Sequence, residues 1–142
     1  MSWWVQLIAC FFAALFFSVL MNQPRSTMPV SALIAVGGYA VYLGLNRSVL
    51  AYFMATIVIG VSCEMAARIM KRTATLFFTG AIIPLVPGVG LFNSMRYVVE
   101  GEYENAVSTG VFTLLAICGI ALAVTNTSVL FSSFVGKKAK GP

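Results

Sequence analysis

Charge interrupts this sequence only at wide intervals, and that spacing limits the folds open to it. Residues 1–24 carry no charged side chain, and neither do residues 26–46, 48–63, 73–95 and 105–136. A helix that crosses a bilayer needs about 20 predominantly apolar residues. Of the 142 residues, 60% are hydrophobic and 9% charged, with a mean hydropathy of +0.95. A water-soluble domain of this length could not bury so large an apolar share. The chain reads as all-α: a polytopic membrane helix bundle, one membrane domain over residues 1–142.

The charges divide it into five expected spans, at about 3–21, 29–46, 49–70, 75–98 and 105–127. The third reaches spanning length by continuing to about Met70, which places Glu64 near its end. "NQPRSTMP" (22–29) and "LNRS" (45–48) are the expected turns, with Pro29 suited to the first turn of a helix. The first span lacks a basic leader and a small-residue cleavage site, so it is expected to be a retained helix. Four-residue spacing of small side chains marks expected helix contacts at Ala40 and Gly44, Ala51 and Ala55, Thr56 and Gly60, and Gly119 and Ala123.

Five crossings put Arg25, Arg68, Lys71, Arg72, Lys137, Lys138 and Lys140 on one side. The other side receives Arg47 and Arg96 with Glu100, Glu102 and Glu104. The positive-inside rule then predicts a periplasmic N-terminus and a cytoplasmic C-terminus, with 137–142 as a basic cytoplasmic tail. The net charge of +5 is read as this topology signal, and no nucleic-acid partner is implied. Trp3 and Trp4, and Tyr97 and Tyr103, suit interfacial anchors. A four-span alternative requires one segment to dip into the bilayer and return, and the fourth is the candidate.

That fourth segment contains "IIPLVPGVG" (82–90). Counted from Thr73, Pro84 falls ~17 Å into a core of about 30 Å. Pro84 and Pro87 each remove a backbone donor, and Gly88 and Gly90 let the chain leave helical geometry. Backbone groups freed at that depth must face protein or a water-lined cavity. Broken helices at the midplane are a transporter device for holding cargo, and a packed proline kink is the rival reading. If the second half begins at Val89–Gly90, its positive end suits a carboxylate, with Asn93, Ser94 and Arg96 following.

The residue inventory excludes much else. There is no His and no Asp, so no Ser-His-Asp triad and no His-ligated metal can form within the chain. No metal or cofactor is expected, and an enzyme is not. Cys10, Cys63 and Cys118 form no CxxC pair and read as small apolar side chains. Glu64 is the one carboxylate inside a span. It suits either a proton-coupling group or a structural ion pair with Arg68, four residues on.

The stretch "EMAARIMKRTATLFFTGAIIPLVPGVGLFNSMRYVVEGEYENAV" (64–107) resembles the C-terminal membrane half of the threonine/serine exporter family. The matching features are a Glu followed by a basic patch, an apolar run into "IIPLVPG", and a Gly-acidic segment before the last span. "RTAT" (72–75) stands where the family pattern has a proline, which leaves the start of the fourth helix open. The resemblance implies a stand-alone small subunit whose larger membrane partner supplies the N-terminal half. It implies export of threonine/serine-like amino acids or dicarboxylates such as succinate from a bacterial inner membrane. Pro84, Pro87 and Gly88 carry the motif match, with Glu64 and Arg68 beside them. A scaffold or assembly subunit without a cargo path is the alternative, and a homo-oligomeric channel is a further one.

Overall fold

The computed structural model describes residues 2–138, so the part of the expected basic tail at 139–142 lies outside the described residues. The described chain is helical, with helices α1 (Trp3–Leu20), α2 (Met28–Gly44), α3 (Val49–Met70), α4 (Ala74–Ile82), α5 (Gly88–Glu100) and α6 (Tyr103–Lys138). A single 3-10 turn, Ile83–Leu85, separates α4 from α5. The protein is a helical membrane bundle: α1, α3 and α6 are long and apolar enough to cross a bilayer, and α4 and α5 together make a fourth such segment with a bend. α2 has 17 residues, ~26 Å at 1.5 Å per residue, just short of a typical hydrocarbon core. α6 has 36 residues, so it runs past the expected end near 127 and carries Lys137 and Lys138 in its last turn.

The connections follow local chemistry. Asn22, Asn46, Arg47 and Lys71 adopt left-handed backbone conformations that end helices or turn the chain, and Gly101 does so between α5 and α6. Ser48 caps α3, its Oγ accepting from the Ala51 amide at 3.2 Å. Pro29 sits in the first turn of α2, where a missing amide costs nothing. α4 starts at Ala74 with Thr73 in extended conformation, so "RTAT" supplies the helix start without a proline.

α3 is central and packs against α2, α4 and α6, while α1 pairs with α2 and α4 touches α1, α2 and α3. The buried surfaces are built largely from alanine: Ala14, Ala32, Ala35, Ala51, Ala55, Ala81, Ala116 and Ala123 are all nearly inaccessible. Lipid offers no hydrophobic gain for helix pairing, so small side chains that let backbones approach hold such bundles together. A Cβ on Gly60 would lie 2.8 Å from Thr127 Cγ2, which fixes the close crossing of α3 and α6. The expected contacts at Ala51, Ala55, Thr56, Gly60 and Ala123 are buried, and Gly119 lies near Phe53. Ala40 and Gly44 are exposed instead. On α2 the close approach is made by Gly38, whose missing side chain is replaced by Ile59 of α3.

Large apolar side chains point outward, among them Trp4, Phe12, Phe16, Ile69, Val99 and Phe134. Hydrocarbon rather than water is the solvent such a surface fits. Polar groups inside are satisfied: among the described residues no buried side-chain nitrogen or oxygen lacks a hydrogen bond. Gln23, in the α1–α2 turn, donates to the Leu76 carbonyl of α4 and accepts from Ser31 at 3.4 Å. That buried group ties the first half of the broken segment to the α1–α2 pair.

Candidate functional site

The break is local in origin. Pro84 and Pro87 carry no amide hydrogen, so regular helix bonds fail at both positions. After the 3-10 turn, Val86 is extended, and its amide reaches back to the Ile83 carbonyl at 3.2 Å. The Gly88 amide bonds the Val86 carbonyl at 2.8 Å, and α5 starts there with no side-chain cap. The axes of the two halves differ by 42°. The two halves together are long and apolar enough to make one bent span.

The bend changes the partners of the helix. α4 packs among α1, α2 and α3, whereas α5 packs against α6 and has no buried residue. The two halves therefore diverge around a space, and a cavity of about 230 Å³ opens beside the break. One wall is the break itself: Pro84, Leu85, Val86, Pro87, Val89 and Gly90. The other walls are Tyr39 and Tyr42 of α2, Tyr52 of α3, and Thr109, Phe112 and Thr113 of α6. Tyr42 donates its hydroxyl hydrogen to the Tyr52 hydroxyl at 3.0 Å, and their rings lie 4.6 Å apart. Thr113 donates to the Thr109 carbonyl at 2.7 Å, so its Oγ keeps lone pairs to offer. The cavity thus combines aromatic faces with hydroxyls and carries no formal charge among its lining side chains. Such a mixture suits a small polar molecule that must not be held too tightly.

A second space, an open surface groove of about 440 Å³, adjoins Pro84. Gln6, Ala9, Cys10 and Ala13 of α1 line it, with Tyr39 of α2 and Arg47 of the α2–α3 turn. Pro84 and Tyr39 belong to both cavities. A third, of about 170 Å³, is bounded by α3, α4 and α6 and holds Glu64, with Thr75, Thr127 and Ser128 among its polar neighbours.

The residues singled out in the sequence do not all meet there. Pro84, Pro87 and Gly90 line the tyrosine cavity. Gly90 abuts Thr113, so a side chain at 90 would collide with α6. Gly88 is exposed, and a Cβ there would meet nothing within 4 Å. Asn93 is half-buried and is not among the residues that line these cavities. Arg96 is turned to the outer face of α5, where it pairs with Glu100 at 2.8 Å. Ser94 donates to the Ala106 carbonyl at 2.9 Å and ties α5 to α6.

Glu64 and Arg68 separate as well. Their spacing allows an ion pair, but the Arg68 guanidinium lies over the Phe131 ring, 5.0 Å from its centre. Packing of α6 on α3 brings that ring within reach, and the cation takes its face. Arg96–Glu100 is the ion pair found among the described residues. Glu64 is left half-buried toward its own cavity. No cluster of three or more Cys or Glu among the described residues could hold a metal ion.

Sequence reasoning missed the tyrosines. Tyr39, Tyr42 and Tyr52 lie in uncharged runs, and Tyr42 and Tyr52 flank the α2–α3 turn within about one helical turn of it, where aromatic side chains read as ordinary interfacial anchors. Tyr39 and Tyr42 are three residues apart on one helical face, and that polar spacing within apolar spans was the available signal. Comparison with known proteins adds a family model described as Threonine/Serine exporter, ThrE, which matches residues 6–130 and so spans α1 through most of α6. No solved structure matches the chain.

Proposed function

The chain belongs to the threonine/serine exporter family, a family of transporters, and from that premise we propose that it is the small membrane subunit of a two-component secondary exporter. Its cargo is a small carboxylate-bearing metabolite, a threonine- or serine-like amino acid or a dicarboxylate such as succinate. A larger membrane subunit completes the path, and the pair works in a bacterial inner membrane. The observation that carries the cargo-path reading is the cavity at the break. A scaffold needs only a packed kink, whereas here six residues of the break face open space lined by hydroxyls and aromatic rings. α5 is the second support: it closes the cavity yet has no buried residue and packs against α6. A neighbouring chain against its outer face would complete the walls.

The five helical passages, with the broken segment as the fourth, keep the N-terminus periplasmic and the C-terminus cytoplasmic. In that frame the α1 start, the α2–α3 turn and the α5–α6 turn share the periplasmic side. The 440 Å³ space leads from that side to Pro84, and the Glu64 cavity lies in the cytoplasmic half. Glu64 is the candidate for proton coupling, since it is the in-span carboxylate left without a cationic partner among the described residues.

The test is export of labelled threonine, serine and succinate from cells expressing this chain alone, its larger membrane partner alone, and both. Export by the pair and by neither chain alone is the expected result. A correctly inserted pair that moves none of the three would support the scaffold reading and remove the cargo path.

A further inference from the structure

We infer that Arg47, in the turn between α2 and α3, is the carboxylate-binding residue of the cargo path. The inference rests on the transporter reading above and assigns a residue that its sequence motif does not contain. Arg96, which the sequence favours for this role, is neutralised by Glu100 on the outer face of α5. Arg47 is the cation that lines the space adjoining the break, together with Pro84 and Tyr39. No carboxylate lies within ion-pair distance of it among the described residues. Its side-chain partner is the neutral Gln6, whose Oε1 accepts from Nη2 at 3.1 Å. Arg47 is exposed, and this bond to a neutral group leaves its charge unspent.

The backbone holds the residue in place. Asn46 and Arg47 have φ of 56° and 55°, two successive non-glycine residues in the left-handed region. Asparagine tolerates that conformation, but a long side chain rarely adopts it. The Arg47 amide returns to the Tyr42 carbonyl at 3.4 Å, which links the turn to the tyrosine pair. Arg47 lines one of the two spaces that share Pro84 and Tyr39, and Tyr42 and Tyr52 line the other. A guanidinium presents two parallel donors to a carboxylate, a geometry that a lysine ammonium cannot copy. A ligand that carries a carboxylate matches the guanidinium in that space. An arginine serving only as a topology signal would need neither the neutral side-chain partner nor a place on the cavity wall.

The experiment is exchange of labelled threonine across proteoliposomes holding this chain with its larger partner, at equal concentrations on both sides. The half-saturating concentration is read for threonine and for threoninamide, which lacks the carboxylate. R47Q is expected to raise the value for threonine on the order of tenfold. The value for threoninamide should stay within about twofold, so that discrimination between the two collapses. R47K should fall between, because it keeps the charge and loses the fork. If R47Q fails to insert, R47K is read in its place, with insertion checked by chemical labelling of the C-terminal segment. Unchanged discrimination in R47K and R47Q would overturn the inference, and so would a lowered maximal rate with unchanged half-saturation. If the wild-type pair exchanges threonine normally in that case, the transporter reading survives alone. A wild-type pair that exchanges neither threonine, serine nor succinate would overturn both.

Discussion

At the scale of single residues, chemistry was legible where it depends on the chain alone. Proline lacks its amide wherever it lies, so Pro84 and Pro87 announced the break without a structure. The partner of an ionisable group depends on helix rotation and on what packs alongside. Arg68 was in register with Glu64, yet Phe131, sixty-three positions further on, takes its guanidinium. Glu64 is thereby left without that ion pair among the described residues. Glu64→Gln is expected to reduce net export driven by a proton gradient about tenfold or more, while exchange at equal concentrations stays within about twofold. Comparing the two assays separates coupling from cargo binding. A loss of both would place Glu64 in the structure of the bundle. The tyrosine pair gives a second prediction: Tyr52→Phe removes the acceptor of the Tyr42 hydroxyl. Cargo bound at this hydroxyl pair would lose one neutral hydrogen bond, about 1 kcal/mol, which should weaken half-saturation roughly fivefold, measured by the same exchange assay.

At the scale of elements, the helices and their ends follow from uncharged run length and turn chemistry. The faces that meet follow less easily. Small-residue spacing pointed correctly to α3 and α6, but it also marked Ala40 and Gly44, which are exposed. Alanine and glycine are common in membrane helices, and spacing alone does not say which face finds a neighbour. Two glycine substitutions test the packing. Gly60→Leu forces a side chain into Thr127 and is expected to destabilise the bundle by about 1–3 kcal/mol, read as earlier thermal unfolding in detergent. Gly44→Leu, on an exposed face, should leave the transition nearly unchanged. The two glycines of the break part in the same way. Gly90→Leu pushes Thr113 away and narrows the tyrosine cavity, so it should abolish export. Gly88→Leu points into open space and should leave most of it.

At the scale of the whole molecule, the membrane class was plain from composition, because no soluble core could absorb these apolar runs. The cavity was not plain, because it arises only when α4 stays with α1, α2 and α3 while α5 crosses to α6. The break is what permits that exchange of partners, and the space beside it is the consequence. Orientation is testable with impermeant thiol reagents. Ser2→Cys should react from the periplasmic side and Ser133→Cys from the cytoplasmic side, with the opposite pattern reversing the proposed topology. The central claim is that the break lines the path of the cargo. It is tested most directly by placing a single cysteine at Val86, in the pair, after replacing Cys10, Cys63 and Cys118 and checking that export persists. The prediction is that a small water-borne thiol reagent modifies this cysteine, blocks export, and reacts more slowly when threonine or another transported cargo is present. A cysteine that stays unmodified, or whose modification neither slows export nor responds to cargo, would make the break a packing feature and contradict the account.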